Sequence, residues 1–208
     1  RNCEGFYLRH DRSVFSGSMP PGDEAEYRNY IVCGEKQYFR IIWIGYSHNL
    51  NSRKDKKMFQ ERTYRNLIET AQLQGYRVIV KETDLMVYTE TRLIDETKEL
   101  VLEQRGYIEA FIKSHPDFAR TLIPWQLDGP APGIIQDMVK AGRNAGAGPM
   151  AAIAGAIAGQ VGLGLLKLTD QVIIENGGDV FIKTDSHLTV GIFAGNSPLS
   201  LRLGIRLE

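Results

Sequence analysis

The stretch VIIENGGDVFIK, residues 172–183, decides the fold class more than any other part of the chain. Residues 172–175 and 180–183 are rich in Val, Ile and Phe, the composition of β-strands. Asn-Gly and Gly-Gly stand between them, and both central residues of a type I′ hairpin turn need positive φ, which glycine adopts without steric cost. The stretch therefore predicts two strands joined by a tight turn within residues 175–179.

Further strands and helices are predicted on both sides of this hairpin from the period of the apolar residues. Alternating or β-branched runs predict strands over residues 38–46, 76–81, 85–89, 188–193 and 201–207. Residues 82–84 are predicted to form a hairpin turn. Helical periods and the prolines at their boundaries predict helices over residues 93–114, 132–142 and 149–166. This order predicts an α+β domain, with helices packed on one face of a mainly antiparallel sheet.

The amino-acid composition excludes a basic nucleic-acid binder. The 25 Lys and Arg residues balance the 25 Asp and Glu residues, so the net charge gives no reason to expect nucleic acid or an anionic membrane as a partner. With 43% hydrophobic and 24% charged residues, the chain has the composition of a globular protein.

One uncharged run, residues 144–166, is long enough to cross a bilayer as a helix. Most of its residues are Gly and Ala, and Pro149 interrupts it near its start, so a buried helix packed closely against its neighbours is predicted instead. The first residues are charged and lack the apolar region of a signal peptide. We therefore expect a cytoplasmic protein without a membrane partner.

Cysteine and histidine usage excludes several kinds of site. Cys3 and Cys33 are too few for a disulfide framework or a four-thiolate zinc site, and two reduced thiols are expected. The four histidines lack the spacing of a zinc site, and no nucleophile elbow accompanies them. His115, before a proline, is expected at a helix end, and His187 in a turn between strands.

NAGAGPM, residues 144–150, is a glycine-rich loop that opens a helix at Pro149. Free backbone N–H groups and the positive end of a helix dipole converge at such a position and can bind phosphate or carboxylate. Gly146 and Gly148 would let a ligand approach the backbone closely. The loop lacks the lysine of a P-loop and does not follow a strand, so a flexible link between two helices is the alternative interpretation.

Small residues form a stripe along the helix that follows. They are Ala151, Gly155, Gly159 and Gly162, at four- and three-residue spacing. A glycine inside a helix costs up to about 1 kcal/mol relative to alanine, so close packing against a sheet or a second helix must offset several such penalties. We predict core packing for this stripe rather than ligand contact.

Two charged pairs are candidates for ligand binding. Glu175 and Asp179 flank the double-glycine turn, where carboxylates can bind a metal or accept hydrogen bonds from hydroxyl groups. Arg62 and Arg65 lie three residues apart and can clamp a phosphate, with a solvated surface as the alternative.

Six segments occur together in an order typical of one protein family. They are FQERTYR (59–65), VIVKETDL (78–85), HPDF (115–118), AGAGPMAAIAGAIA (145–158), VIIENGGDVFIK (172–183) and VGIFAGNSPLS (190–200). They resemble an uncharacterised prokaryotic family related to ApbE, a superfamily that includes FAD:protein FMN transferases and was once named for thiamine biosynthesis. The resemblance implies an ApbE-like domain over residues 59–208, expected to continue beyond Glu208, and leaves residues 1–58 as an N-terminal segment outside the match.

The resemblance also implies a function. In ApbE proteins a small-residue helix, an Asn-x-Gly-Gly-Asp turn and a Val-Gly-Ile segment follow one another as they do here, and the turn helps to shape the flavin pocket. By this analogy FAD or a related nucleotide, with Mg²⁺ at Asp179, would be bound by Gly146, Gly148, Asn176, Gly177, Gly178 and Asp179. The chain has no lysine between Lys140 and Lys167, where ApbE proteins carry a Lys-Gly pair, so flavin transfer itself is not expected.

A second function is open from the sequence. The glycines can serve only turns and close packing in a non-catalytic scaffold or assembly subunit. In that interpretation a sheet edge or the Gly/Ala helix pairs with a second copy, and the protein is a homo-oligomer. No catalytic residue is assigned in either interpretation.

Overall fold

The computed structural model describes residues 28–33, 39–44, 73–191 and 204–207 of the 208-residue chain. These described residues form three α-helices, two short 3-10 helices and two antiparallel sheets. In chain order the strands and α-helices are β1 (Arg28–Cys33), β2 (Phe39–Ile44), β3 (Gln74–Val80), β4 (Thr83–Thr89), α1 (Ile94–Ser114), α2 (Gly133–Ala145), α3 (Ile153–Leu165), β5 (Val172–Asn176), β6 (Asp179–Lys183), β7 (Leu188–Gly191) and β8 (Gly204–Leu207). The 3-10 helices are Pro116–Ala119 and Pro149–Ala152.

The main sheet has the strand order β1-β2-β6-β5-β4-β3, and each neighbouring pair is antiparallel. The predicted β5–β6 hairpin is confirmed, with Asn176 opposite Asp179. Gly177 and Gly178 form its turn at φ 62° and 102°, the positive values that the sequence predicts. Strands β7 and β8 pair separately. The predicted α+β class and antiparallel sheet are therefore confirmed.

The β3–β4 turn differs from the prediction. Residues 82–84 were expected to turn, but Val80 pairs with Thr83, so the turn consists of Lys81 and Glu82. Lys81 adopts a left-handed φ of 52°, which is uncommon for a residue other than glycine. The predicted hairpin is therefore present, but because neither turn residue is Gly, Asn or Pro, the local sequence does not indicate the exact position of the turn.

The helices lie on one face of the main sheet, as predicted, with α1 and α3 against the strands and α2 packed against α1 and α3. Helix α3 contacts β5 and β6, helix α1 contacts β3, and both α1 and α2 pack against α3. Their shared core includes Val78, Val87, Val101, Phe118, Ile135, Met138, Val161, Leu165, Ile174 and Phe181. Burying a side chain of this kind contributes roughly 1.5–3 kcal/mol, so this core is the main source of stability.

The opposite face of the sheet carries a smaller apolar cluster. Tyr88, Ile173 and Ile182 are buried there. Successive residues of a strand point to opposite faces, so Ile173 and Ile182 face away from the helices that Ile174 and Phe181 contact. Both faces of β5 and β6 are thus covered, which agrees with the burial of every β5 residue.

The small-residue stripe lies in the core as predicted, with one exception. Gly155, Gly159 and Gly162 are buried within α3, whereas Ala151, in the preceding 3-10 helix, is exposed. Among the described residues no single helix is long and apolar enough to cross a membrane. Helix α2 and residues 149–165 meet the length and composition requirement only together, and the chain bends by 108° between them.

Candidate functional site

The double-glycine turn packs against the beginning of α3. Asn176 is 8% exposed, and its Nδ2 donates to the Ala154 carbonyl oxygen over 3.0 Å. Asp179, opposite Asn176 in the hairpin, is 3% exposed. Residues opposite each other in a hairpin lie on one face of the sheet, so Asn176 and Asp179 share the helix-facing side. Of the predicted site residues of this turn, Asn176 and Asp179 are therefore buried on the side of α3, whereas Gly177 is exposed and Gly178 is half-buried.

The two carboxylates that flank this turn do not share a face. Glu175 precedes Asn176 and so lies on the opposite side of the sheet from Asp179. Its Oε1 accepts a hydrogen bond from the Gly178 N–H at 2.8 Å, which stabilises the turn. Within residues 73–191, and in the shorter described segments, no group of three His, Cys, Asp or Glu side chains is arranged to hold a metal ion. The predicted pairing of the two carboxylates at one site is not what the fold produces.

The glycine-rich loop is an ordered helix end rather than a flexible link. Gly146 terminates α2 in the left-handed conformation at φ 65°, and its N–H donates to the Arg143 carbonyl. The N–H of Ala147 donates to the Gly142 carbonyl at 2.9 Å. These two N–H groups were expected to be free for an anion, but they satisfy the C-terminal carbonyls of α2 instead.

Gly148 has a different role. It precedes the 3-10 helix Pro149–Ala152 and is buried. A Cβ atom at this position would overlap the backbone carbonyl oxygen of Thr121, so only glycine lets the two chain segments approach this closely. The space that was expected to admit a ligand beside Gly148 is filled by the backbone at Thr121 and Leu122.

A cleft of about 460 Å³ lies next to this loop, between α2 and the segment that precedes it. It is lined by Leu127, Gly129, Gln136, Val139, Lys140, Arg143 and Asn144. The last five residues belong to α2 and lie on one side of the helix, because residues spaced by three, four, seven and eight positions share a face. Asn144 brings the cleft to within two residues of Gly146, but neither the glycines of the loop nor residues 176–179 line it.

The opposite wall of the cleft is residues 121–131, here called the wall segment. The Nε of Arg143 donates to the Trp125 carbonyl at 3.1 Å, and Nε2 of Gln136 donates to the Ala131 carbonyl at 2.7 Å. The Trp125 indole packs edge-to-face on Phe118, with ring centroids 5.6 Å apart. The wall segment is thus attached to α2 at two points, and the cleft lies between them.

The side chains that line the cleft carry a net positive charge. Lys140 and Arg143 contribute two cations, and none of the lining residues is acidic. In the described part of the chain, no hydrogen bond or ion pair engages the Lys140 amine, and Arg143 uses only its Nε in the bond to Trp125. The negative end of the α2 dipole, equivalent to about half a charge, offsets only part of this positive charge. The arrangement suits a small anion that also contacts the apolar side chains.

Sequence reasoning missed these residues, although a pattern for them exists. It predicted α2 and placed Ile135, Met138 and Val139 inward, and all three are buried. The polar residues of the adjoining face, which Val139 borders, follow the spacing i, i+4, i+7 and i+8 from Gln136. That spacing marks one polar face, but only the wall segment turns this face into a cleft.

Other predicted residues have mixed outcomes. His115 ends α1 and His187 lies between β6 and β7, as expected. The proposed phosphate clamp of Arg62 and Arg65 lies outside the described residues, as does Cys3.

Comparison with known proteins gives the family. The family model described as AbpE bacteria matches residues 65–208. A UPF0280 protein of Methanococcus vannielii is 34% identical over 139 residues, covering 66% of this chain and 56% of its relative. A UPF0280 protein of Methanocaldococcus jannaschii is 33% identical over 135 residues, covering 64% and 54%. The chain thus spans about half the length of the curated relatives it matches.

These comparisons correct the identification made from the sequence. The expected relation to ApbE and its FAD:protein FMN transferases is wrong, because the matches are to AbpE bacteria and to UPF0280 proteins. Two of the segments that carried the resemblance, residues 145–158 and 172–183, contain a glycine-rich loop, a small-residue helix and a glycine turn. In this fold they serve a hairpin turn, a helix end and close packing, which are needs that unrelated families share.

Proposed function

This chain belongs to the family described as AbpE bacteria, and we propose that it binds a small anionic molecule in the cleft between α2 and the wall segment. The ligand class comprises molecules that carry a phosphate or a carboxylate. Nucleotides belong to this class, FAD among them, so the expectation of a nucleotide or flavin ligand is kept as part of the proposal.

The observation that carries this proposal is the pair of cations without a carboxylate. The chain as a whole has equal numbers of acidic and basic residues. The exposed cations Lys98 and Lys81 each have an acidic partner, whereas Lys113 and Lys167 have none in the described part of the chain. Lys140 and Arg143 instead share a concave surface whose lining residues include no acidic side chain. An anion bound there gains attraction from both cations and is partly shielded from water, which strengthens that attraction.

The test is to titrate the protein with inorganic phosphate and with ADP, and to measure binding by calorimetry and by thermal unfolding. A ligand at 100 times its Kd stabilises the folded protein by about 2.7 kcal/mol. We expect Lys140→Met to weaken binding of both anions at least tenfold. Lys98→Met removes the same charge from an exposed position on α1 and is expected to leave binding unchanged. Equal binding by wild type and Lys140→Met, or no binding of either anion, contradicts the proposal.

A cofactor role of the double-glycine turn is a separate hypothesis. It assigns Mg²⁺ to Asp179 and a nucleotide to the backbone at Asn176, Gly177 and Gly178. Calorimetric titration with MgCl₂, with and without ADP, tests it in wild type and in Asp179→Asn. Magnesium binding that the substitution removes supports the hypothesis, and the absence of magnesium binding in wild type contradicts it.

The second candidate function is that of a homo-oligomeric assembly subunit. It is favoured by Leu122 and Ile123, adjacent apolar residues of the wall segment that are 77% and 71% exposed. The Gly/Ala helix is not available for pairing as the sequence suggested, since α3 is mostly buried within the protomer. Light scattering of wild type and of Leu122→Ser with Ile123→Ser tests this function, and a monomeric wild type contradicts it.

A further inference from the structure

We infer that the ligand of this cleft is a phosphate monoester whose apolar body passes beside Gly129. The inference rests on the proposed function and adds to it the shape and chemical class of the ligand. Three observations support it: the position of the two cations, the apolar residues Leu127 and Val139 that line the cleft, and the open space at Gly129.

The two cations determine where the phosphate group of the ligand binds. Lys140 and Arg143 are three residues apart on α2, so their Cβ atoms are roughly 5–6 Å apart and both side chains can reach one phosphate group. The Nε bond to the Trp125 carbonyl orients the Arg143 guanidinium and leaves its Nη atoms to donate. A phosphate monoester carries about −1.5 to −2 charges at pH 7, which matches two cations better than the single charge of a carboxylate.

The apolar lining of the cleft indicates that the rest of the ligand is apolar. Val139 is 3% exposed and Leu127 is half-buried, and together they offer a small apolar surface beside Lys140. Inorganic phosphate has no part that would contact this surface. The cleft volume of about 460 Å³ also lies in the range of sites that hold whole organic molecules, roughly 300–1,000 Å³.

Gly129 lines the cleft together with Leu127 and Val139. It lies in the wall segment between the points at Trp125 and Ala131 where α2 holds the chain, so its position is determined at both ends. A Cβ atom on Gly129 would meet no atom within 4 Å, and its φ is not in the left-handed region. A larger side chain is therefore compatible with the fold, and because Gly129 lines the cleft we expect such a side chain to take up space there. Gly129 is the position at which ligand size can be changed without altering charge.

The experiment compares inorganic phosphate, phenyl phosphate and benzoate by calorimetry. We expect phenyl phosphate to bind wild type at least tenfold more tightly than inorganic phosphate, and also more tightly than benzoate, which has the ring but one charge. Gly129→Val is expected to weaken the binding of phenyl phosphate at least tenfold and to change the affinity for inorganic phosphate less than twofold. Gly106→Val adds the same side chain to α1 at a position with no atom within 4 Å, and should change neither.

The outcomes separate this inference from the proposed function. Two results overturn the inference and leave the proposed function standing. In the first, wild type binds inorganic phosphate and phenyl phosphate equally well. In the second, Gly129→Val weakens the binding of neither anion, or weakens the binding of both to the same extent. Tighter binding of benzoate overturns the assignment of a phosphate. Failure of wild type to bind any of the three anions overturns both.

Discussion

A methyl group on Gly162 would overlap the ring of Phe181, so helix α3 meets strand β6 at a distance that only glycine permits. Gly162 is buried in α3, and the Phe181 side chain is completely buried beneath it. Gly164 makes a similar approach on another side of the helix, where a Cβ atom would lie 2.6 Å from Cδ2 of Leu100. The glycines of α3 thus fit this helix between the sheet and α1.

Gly162→Ala is predicted to destabilise the protein even though alanine favours helices. The new methyl group must displace a buried aromatic ring, and overpacking of this kind costs about 1–3 kcal/mol. Gly106→Ala is the matched control, because it lies inside α1 with no atom within 4 Å of the added Cβ. It should stabilise by up to about 1 kcal/mol. Urea unfolding measures both, and a Gly162→Ala variant as stable as the control would refute the close contact.

Gly148→Ala is predicted to be more damaging, because the added methyl group meets the backbone carbonyl of Thr121 rather than a side chain. The wall segment must move to relieve this overlap, at a cost of about 3 kcal/mol or more. Gly129→Ala, in open space within the same segment, should stay within about 0.5 kcal/mol of wild type. Thermal unfolding compares the two, and equal stability of the variants would argue against the observed packing.

The two glycines of the β5–β6 turn are predicted to differ in their tolerance of substitution. Gly177 has φ 62°, a value that asparagine adopts readily, so Gly177→Asn should change stability by less than about 0.5 kcal/mol. Gly178 has φ 102°, and Gly178→Ala should cost roughly 1–2 kcal/mol through backbone strain alone, since its Cβ would meet nothing within 4 Å. Chemical denaturation measures the difference, and the reverse order would exclude this turn geometry.

Glu90 is predicted to make stability depend on pH. Its carboxylate accepts hydrogen bonds from Thr169 Oγ1 at 2.7 Å and from the Asp170 N–H at 3.1 Å, which join the end of β4 to the segment before β5. These bonds favour the charged form and lower the pKa of Glu90 below its ordinary value of 4.5. Because the folded-state pKa is the lower one, this stabilisation is present above pH 4.5 and is lost as pH falls through the folded-state pKa.

The variant for this test is Glu90→Gln, studied by urea unfolding at pH 7 and at several values below 4.5. It should be less stable than wild type at pH 7, and the difference should shrink as the pH is lowered. Glu99→Gln, on the exposed side of α1, is the control and should show no such convergence. A difference between Glu90→Gln and wild type that does not change with pH would disprove the role of the charge.

Much of the fold could be predicted from the sequence because its signals are local. The alternation of β5 and β6, the double glycine between them and the proline after His115 each restrict the backbone of their immediate neighbours. The predicted β3–β4 hairpin is present, but its turn lies at Lys81 and Glu82 rather than at residues 82–84. Lys81 is held at positive φ by the pairing of β3 with β4, and its own side chain gives no indication of this.

The glycine-rich loop shows where local reasoning fails. Its composition fits an anion site, a flexible link and a helix end equally well. Only the hydrogen bonds of Gly146 and Ala147 to α2, and the approach of Thr121 to Gly148, distinguish these interpretations. The partners of these N–H groups depend on how the preceding helix ends and on a segment more than 20 residues earlier in the chain.

The sequence by itself determined the α+β class, the order of the α-helices and of strands β2 to β8 along the chain, the double-glycine hairpin and the burial of the Gly/Ala helix, but it gave no signal for β1. These properties follow from backbone preferences and from the spacing of apolar residues, and both are determined within a few residues of the chain. The tertiary structure alone decided that Lys140 and Arg143 face Leu127 and Gly129 across a cleft. That juxtaposition depends on hydrogen bonds from α2 to distant carbonyls and on the packing of three helices against one sheet, and neither leaves a local pattern in the chain.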